Sequence, residues 1–275
     1  MRWRGIIMGM NSIVRDYLAH ALENTSRLAE RLSLNSLTPA VAMWEENRYL
    51  VVASCDNYQQ HEFRLMMFYD DNSPTLLGER VLAFSPMAAA AAARALNDKL
   101  DKTDSLHIDY DGDKTIMLVA QGITICLKAT ESKHRDNIRK LALSFAEEIR
   151  SETIKINAKE FLTMLPKPRR NNDRMYMLVH FFENTWQVGI QPDLDSWQPT
   201  EHNGVFDAED VQGKPNLKLN VPRLREALEA AERYHPFAEC AIETTNQNEP
   251  VLIRVNVGKA LYFKAYIMPV VEIQR

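Results

Sequence analysis

The spacing of apolar residues switches repeatedly between alternation and a helical period of about 3.6, and each switch marks a change of element. Residues 4–10 predict a first strand, after which Asn11-Ser12 caps a helix from about Ile13 to Leu32 with Val14, Leu18, Leu22 and Leu28 as its buried stripe. Pro39 ends that pattern, and strands follow at Ala40–Trp44, Tyr49–Ser54 and Glu62–Phe68, with Glu45-Glu46-Asn47 as a hairpin turn. A second cycle starts after the loop at 70–74. Glu79–Phe84 is a strand, Ser85-Pro86 a cap and first turn, and Met87–Leu100 an alanine-rich helix whose small residues allow close approach to a sheet. Leu106–Tyr110, Thr115–Ala120 and Ile123–Ala129 complete it, joined by Asp111-Gly112-Asp113 and Gln121-Gly122.

Glu131–Arg150 has helical spacing through Ile138, Leu141, Leu143, Phe145 and Ile149 with mixed charge, and is expected to connect two domains. A third cycle places a strand at Thr153–Ile156, a cap at Asn157, and a short helix at Ala158–Leu165 stopped by Pro166 and Pro168. Arg169-Arg170-Asn171-Asn172 then forms a basic loop, and strands are expected at Met175–Phe182, Thr185–Gln191 and, after the polar loop Pro192–Asn203, near Val205–Ala208. In the fourth cycle Leu217 and Leu219 mark a strand, Asn220 an N-cap and Pro222 the first helical turn. Leu224, Leu228 and Ala231 share a face, His235-Pro236 ends the helix, and strands follow at Phe237–Thr244, Pro250–Asn256 and Ala260–Val270. Four strand–helix–three-strand cycles predict an internally duplicated α+β fold. Its domains are expected at 1–130 and 151–275, with 131–150 as connector.

Composition narrows the picture. At 275 residues and 45% hydrophobic, the chain has room for two cores of the usual size. No run of about 20 apolar residues exists, and Met1-Arg2-Trp3-Arg4 is not followed by a secretory core, so the expectation is a cytoplasmic protein without membrane contact. Cys55, Cys126 and Cys240 are far apart and set in apolar strands, which predicts reduced core residues. No nucleophile elbow, phosphate-binding glycine loop, metal-spaced His pair or Cys-x-x-Cys occurs, and the nine glycines are few for such loops. Neither catalysis, a cofactor nor a metal is therefore expected. Asp109-Tyr110-Asp111-Gly112-Asp113 has the start of a calcium loop but no downstream bidentate Glu, and a hairpin turn accounts for it. The net charge of −4 does not announce a nucleic-acid binder, although a locally positive surface can hide within an acidic sum.

The succession NVPRLREAL, EPVLIRV and YIMPV over the last part of the chain resembles the final half-domain of the DNA polymerase sliding clamp family, most strongly over 150–275. The family includes the bacterial polymerase III beta subunit and proliferating cell nuclear antigen. The resemblance implies a DNA-clamp fold with helices on one face of antiparallel sheets. It implies a protein that encircles double-stranded DNA without reading its sequence, tethers a DNA polymerase or other partners, and is opened by a separate ATP-driven clamp loader. Six domains close such a ring, so a two-domain chain implies a homotrimer associated with the nucleoid. The connector of that family is an extended strand, so a helix over 131–150 would be a departure.

By placement on the helices lining such a ring, the DNA-facing candidates are Arg15, Arg27 and Arg31, then Arg94, Lys99 and Lys102. Lys159, Lys167, Arg169 and Arg170 belong to the third helix and the loop after it, and Arg223, Arg225 and Arg233 to the fourth. Contacts to phosphate would position DNA without specifying bases. With Glu23, Glu30, Glu226, Glu229 and Glu232 among them, the same cations also fit ordinary solvated helix faces. The resemblance further places a pocket for short partner peptides at Met177, Tyr266, Met268 and Pro269, where adaptable Met and aromatic side chains suit several ligands. Tyr266 and Met268 equally fit residues packed beneath the last strand. Two other classes stay open: a clamp-fold adaptor or assembly protein that binds partners without encircling DNA, and an unrelated α and β enzyme lacking a recognisable motif.

Overall fold

The computed structural model describes residues 12–31, 39–68, 75–130, 138–139, 152–165, 176–182, 185–191, 202–207, 217–234, 239–244, 250–257 and 261–269. The predicted first strand at 4–10, the basic loop at 169–172 and most of the connector lie outside them. The elements in chain order are β1 (Ser12–Val14), α1 (Arg15–Glu30), β2 (Val41–Glu46), β3 (Tyr49–Cys55), β4 (Gln59–Met66), β5 (Val81–Phe84), α2 (Pro86–Lys99), β6 (Ser105–Tyr110), β7 (Thr115–Ala120) and β8 (Ile123–Lys128). There follow β9 (Glu152–Asn157), α3 (Ala158–Met164), β10 (Tyr176–Phe182), β11 (Thr185–Gln191), β12 (His202–Asp207), β13 (Leu217–Asn220), α4 (Val221–Tyr234), β14 (Glu239–Thr244), β15 (Val251–Val257) and β16 (Leu261–Ile267).

The chain divides into two compact units. One comprises Met1–Asn57, Glu62–Ala146 and Lys259–Leu261; the other comprises Tyr58–His61, Glu147–Gly258 and Tyr262–Arg275. Their main boundary falls inside the expected connector.

Each unit contains two strand–helix–three-strand repeats, and the lead strands are exchanged between them. β1 precedes β2–β4 in the chain but pairs with β6, Ile13 opposite Leu106, while β5 precedes β6–β8 but pairs with β2, Ala83 opposite Ala42. The second unit repeats the arrangement: β9 pairs with β14 and β13 with β10, Ile154 opposite Ile242 and Leu219 opposite Met177. The first unit therefore carries strand orders β1-β6-β7-β8 and β5-β2-β3-β4, and the second β12-β11-β10-β13 and β16-β15-β14-β9. All of the pairings named are antiparallel, so one-residue alternation decides which side chains enter the core.

Local chemistry accounts for the turns. Asn47 and Arg48 both have positive φ, as a two-residue hairpin requires, so the turn lies one residue beyond the predicted Glu45-Glu46-Asn47. Gln121-Gly122 makes the corresponding turn between β7 and β8, with φ of 47° and 79°. The Ser85 hydroxyl accepts from Ala88 N at 3.2 Å and Pro86 occupies the first turn of α2 as predicted. Asn157 Oδ1 accepts from Lys159 N at 3.0 Å and Glu160 N at 3.2 Å, capping α3. Asn220 Oδ1 caps α4 through Arg223 N at 3.2 Å. The predicted cap of α1 is corrected. Ser12 belongs to β1, hydrogen-bonded to Phe68, and the cap position is Val14, which offers no side-chain bond. β12 likewise begins at His202, inside the predicted polar loop, because β11 supplies it with a ladder from Thr185–Asp207 onward.

In the first unit α1 buries Leu18, Leu22 and Leu28, and α2 packs Ala89, Ala92, Ala93 and Leu96 chiefly against α1. The alanines thus bring two helices together as well as reaching the sheet at β8. The opposite face of the β2–β3 ladder is also dry: Ala42, Trp44, Val51, Ala53 and Cys55 form a cluster with Ile138 of the predicted connector. Ile138 and Arg139 have helical backbone, and Arg139 Nη1 donates to Glu79 O at 3.2 Å. The β6–β8 ladder keeps one open face, Leu106, Ile108, Ile116, Leu118 and Leu127 pointing inward. Cys126 lies on the open side and is exposed, correcting the expectation that all three cysteines are interior; Cys55 and Cys240 are buried and not disulfide-bonded.

Candidate nucleic-acid interface and partner surface

Each unit presents a pair of packed helices, α1 with α2 and α3 with α4. Side-chain burial sorts the candidate cations into two groups. Arg27, Arg31, Arg94, Lys99, Lys102, Lys159 and Arg233 are exposed on these helices or the turns that end them. They alternate with exposed Glu30, Asp98, Asp101, Glu160 and Glu229, and Arg27 is paired with Glu23 one turn earlier. Several sit where helices end: Arg27, Lys99 and Arg233 are in the last turns of α1, α2 and α4, while Asp16 and Glu160 occupy first turns. Those positions complement the helix dipoles.

Arg15 and Arg225 are corrections to the exposed set. Arg15 is 4% exposed and reaches across to the end of α2: Nη2 donates to Leu100 O, and Nη1 to Asn97 Oδ1 at 3.0 Å and Asp16 Oδ1 at 3.1 Å. Arg225 reaches to the end of α3, with Nη1 donating to Leu162 O at 3.2 Å and Leu165 O at 2.9 Å and Nε 2.8 Å from Glu229 Oε1. Both guanidinium groups are consumed by carbonyls left over at a helix end, which a planar, five-donor group satisfies well. Helical phase carried a signal for the first: Arg15, Leu18 and Leu22 lie on one face. Arg223 is half-buried, its guanidinium 4.3 Å from the centre of the Tyr58 ring. Lys167, Arg169 and Arg170 lie outside the described residues.

The residues of the expected peptide pocket differ in exposure. Tyr266 is 2% exposed in β16 and Pro269 is buried, whereas Met268 is 40% exposed; both rings named for the pocket are therefore interior, and the thioether is the outward group. Met177 is placed by register alone, in β10 opposite Ile190 and Leu219. Sequence reasoning missed Tyr58. It is 54% exposed, its carbonyl accepts from Met268 N at 2.8 Å, and the neighbouring Gln59 Nε2 donates to Glu226 Oε2 at 2.7 Å. Tyr58 and Met268 are thus joined backbone to backbone as an outward apolar pair beside Arg223. The signal available in sequence was an aromatic residue in an otherwise polar turn, Asp56-Asn57-Tyr58-Gln59.

Titration directions follow from contacts. Asp111 Oδ1 accepts from the backbone N–H groups of Asp113, Lys114 and Thr115, each at 2.9 Å, and bonding to Thr115 above all holds its carboxyl down at about 2. The oxygen that a calcium reading would need is thereby occupied by the turn. Among the described residues, no cluster of three or more His, Cys, Asp or Glu side chains could hold a metal. Burial, and then the charge of Asp56, push the Cys55 thiol up to about 12.

Paired helices, exchanged lead strands and two repeats per unit define the DNA-clamp fold. Comparison with solved structures places the chain in that fold over nearly its whole length. It aligns with the DNA polymerase sliding clamp from Bacillus subtilis at TM-score 0.66 and 15% identity, covering 99% of this chain and 67% of that one. Against the DNA polymerase III beta subunit from Pseudomonas aeruginosa the TM-score is 0.67 at 12% identity, covering 98% and 69%. Against A. fulgidus PCNA, in a structure with the C-terminal region of FEN-1 bound, it is 0.66 at 12% identity, covering 97% of this chain and all of that one. No family model matches the sequence, and no curated protein does. Among the described residues, no helix is long and apolar enough to cross a membrane.

Proposed function

We propose that this chain is a processivity clamp: three copies close a ring around duplex DNA and hold DNA-processing partners by short peptide segments. The observation that carries the reading is the end-to-end correspondence with a two-domain clamp, since the whole of the A. fulgidus PCNA chain is covered. The exposed cations of the helix pairs would meet phosphates loosely, and the interspersed carboxylates would keep that contact weak enough for sliding. Tyr58 and Met268, with Arg223 beside them, would take an apolar anchor of the partner peptide, as a Met and an aromatic ring suit a surface that receives several ligands. Polymerase and a clamp loader are the expected partners, and the cytoplasm, close to the nucleoid, the expected place of action.

A second reading has its own support. Arg15 and Arg225 are committed to helix ends, and Glu30, Asp98, Glu160 and Glu229 dilute the cations that remain. A clamp-fold adaptor that binds proteins without encircling DNA needs no positive wall. Light scattering over a concentration series separates the two. A species near three times 31.6 kDa is expected for the clamp, and a monomer persisting through the series would replace that reading with the adaptor.

A further inference from the structure

Two helices in different units end in the same way. The residue that terminates α2 is Leu100 and the one that terminates α3 is Leu165; each leaves the helix with extended backbone, and each carbonyl is held by an arginine from the neighbouring helix. In the first unit the turn beyond that carbonyl is tied down on every side. The backbone N–H of Arg15 donates to Asp104 O at 2.9 Å, Asp104 N to Asp101 O at 3.1 Å and Asp101 N to Asp104 Oδ2 at 2.7 Å. Gln121 Nε2 holds the other oxygen of the same carboxylate at 2.9 Å. Arg15 therefore grips the segment 100–104 at both ends, by its guanidinium at Leu100 and its backbone at Asp104. Lys99 and Lys102, exposed, stand on either side of the gripped carbonyl.

We propose that Arg15 is a positioning residue that presents Lys99 and Lys102 to phosphate. This rests on the DNA-encircling reading above. The Asp104 carboxylate would otherwise be free to fold over these lysines; fixing Asp104 through four bonds leaves the ammonium groups as the adaptable part of the turn. A turn ordered before contact does not lose its freedom on contact, which is the gain expected from preorganisation.

The test is a mutant cycle read by anisotropy of a fluorescein-labelled linear duplex over a salt series, at a temperature where circular dichroism shows each variant folded. The lysine pair is removed together, as Lys99→Ala with Lys102→Ala, which is expected to lower the slope of log affinity against log salt by about 1.8, at roughly 0.9 per phosphate contact. Arg15→Met is expected to weaken binding about three- to tenfold in the native background and not at all in the background lacking the two lysines. If Arg15→Met does not fold, Arg15→Lys, which can hold one carbonyl but not the full set, serves in its place with a smaller loss in the native background only. Equal weakening in both backgrounds, or in neither, overturns the positioning role. A lysine pair whose removal changes neither affinity nor slope overturns it too, while leaving the clamp reading in place through the other cations. Failure of the native protein to bind duplex even at low salt overturns this inference, while the clamp reading stands or falls separately by the trimer mass in light scattering.

Discussion

Removal of the Arg225 guanidinium separates a structural from a DNA-facing role. The side chain is 13% exposed and makes two carbonyl bonds, to Leu165 O at 2.9 Å and Leu162 O at 3.2 Å, and one ion pair to a carboxylate that is itself 53% exposed. The ion pair, open to solvent, contributes little. A hydrogen bond from a charged donor contributes about 1.5–3 kcal/mol, and the two carbonyls share one nitrogen, so Arg225→Ala is expected to cost about 2–3 kcal/mol. The loss falls first on α3, a helix of seven residues with little stability of its own. Hydrogen exchange is the informative assay: the Leu165 amide, bonded to Phe161 O at 3.3 Å, should exchange about 30- to 150-fold faster. Arg233→Ala, at an exposed position of the same unit, should change stability by less than about 0.5 kcal/mol. A change in Arg225→Ala as small as that in Arg233→Ala would refute the carbonyl-holding role and return Arg225 to the solvent-facing set.

Three further outcomes are expected. The Asp111 carboxyl should titrate near 2 by NMR, with the amides of Asp113, Lys114 and Thr115 moving at the same midpoint. Because this pKa lies below its ordinary value of 3.8, the stabilisation is complete above about pH 4 and is lost as pH falls toward 2; a midpoint near 4 would contradict the three-bond turn. Iodoacetamide at neutral pH should label Cys126 and spare Cys55 and Cys240, and since the Cys55 pKa is raised, its contribution holds up to about pH 9 and declines as pH climbs toward 12. Labelling of Cys55 as fast as Cys126 would show that the Trp44–Ile138 cluster is open. Trp44→Ala, which empties the centre of that cluster at a side chain 1% exposed, should cost about 3–5 kcal/mol in urea unfolding of the first unit; a loss below about 1 kcal/mol would mean the site is not packed as described.

Much of this was legible before folding, and the limits are physical. Thr115–Ala120 and Thr185–Gln191 emerged at their exact bounds because apolar alternation and flanking turn residues act over a few positions. Ser85, Asn157 and Asn220 were recognisable as caps because each must answer an unpaired N–H within its own turn. The pairing of β1 with β6 rather than with its own repeat was not legible, since Ser12–Val14 has no local feature that selects a distant ladder. Charge proved an unreliable guide to exposure: Arg15 carries the same charge as Arg27 yet lies in phase with Leu18 and Leu22 and enters the interior. The outward Tyr58–Met268 pair was half visible. Met268 could be placed by resemblance, but Tyr58 joins it only through a backbone bond between positions far apart in the chain.

The exchanged lead strands have a consequence for how the molecule can be made. A nascent segment that stops short of Val81 contains β2 and β3 but not β5, the strand on the other side of β2, and one that stops short of Ser105 leaves β1 without β6, its ladder partner. Neither repeat of a unit is a freestanding piece. Ribosomal release of about half the chain must precede closure of the first unit, and two separately expressed repeats of one unit should be insoluble alone and complement each other when mixed, as interlocked halves do.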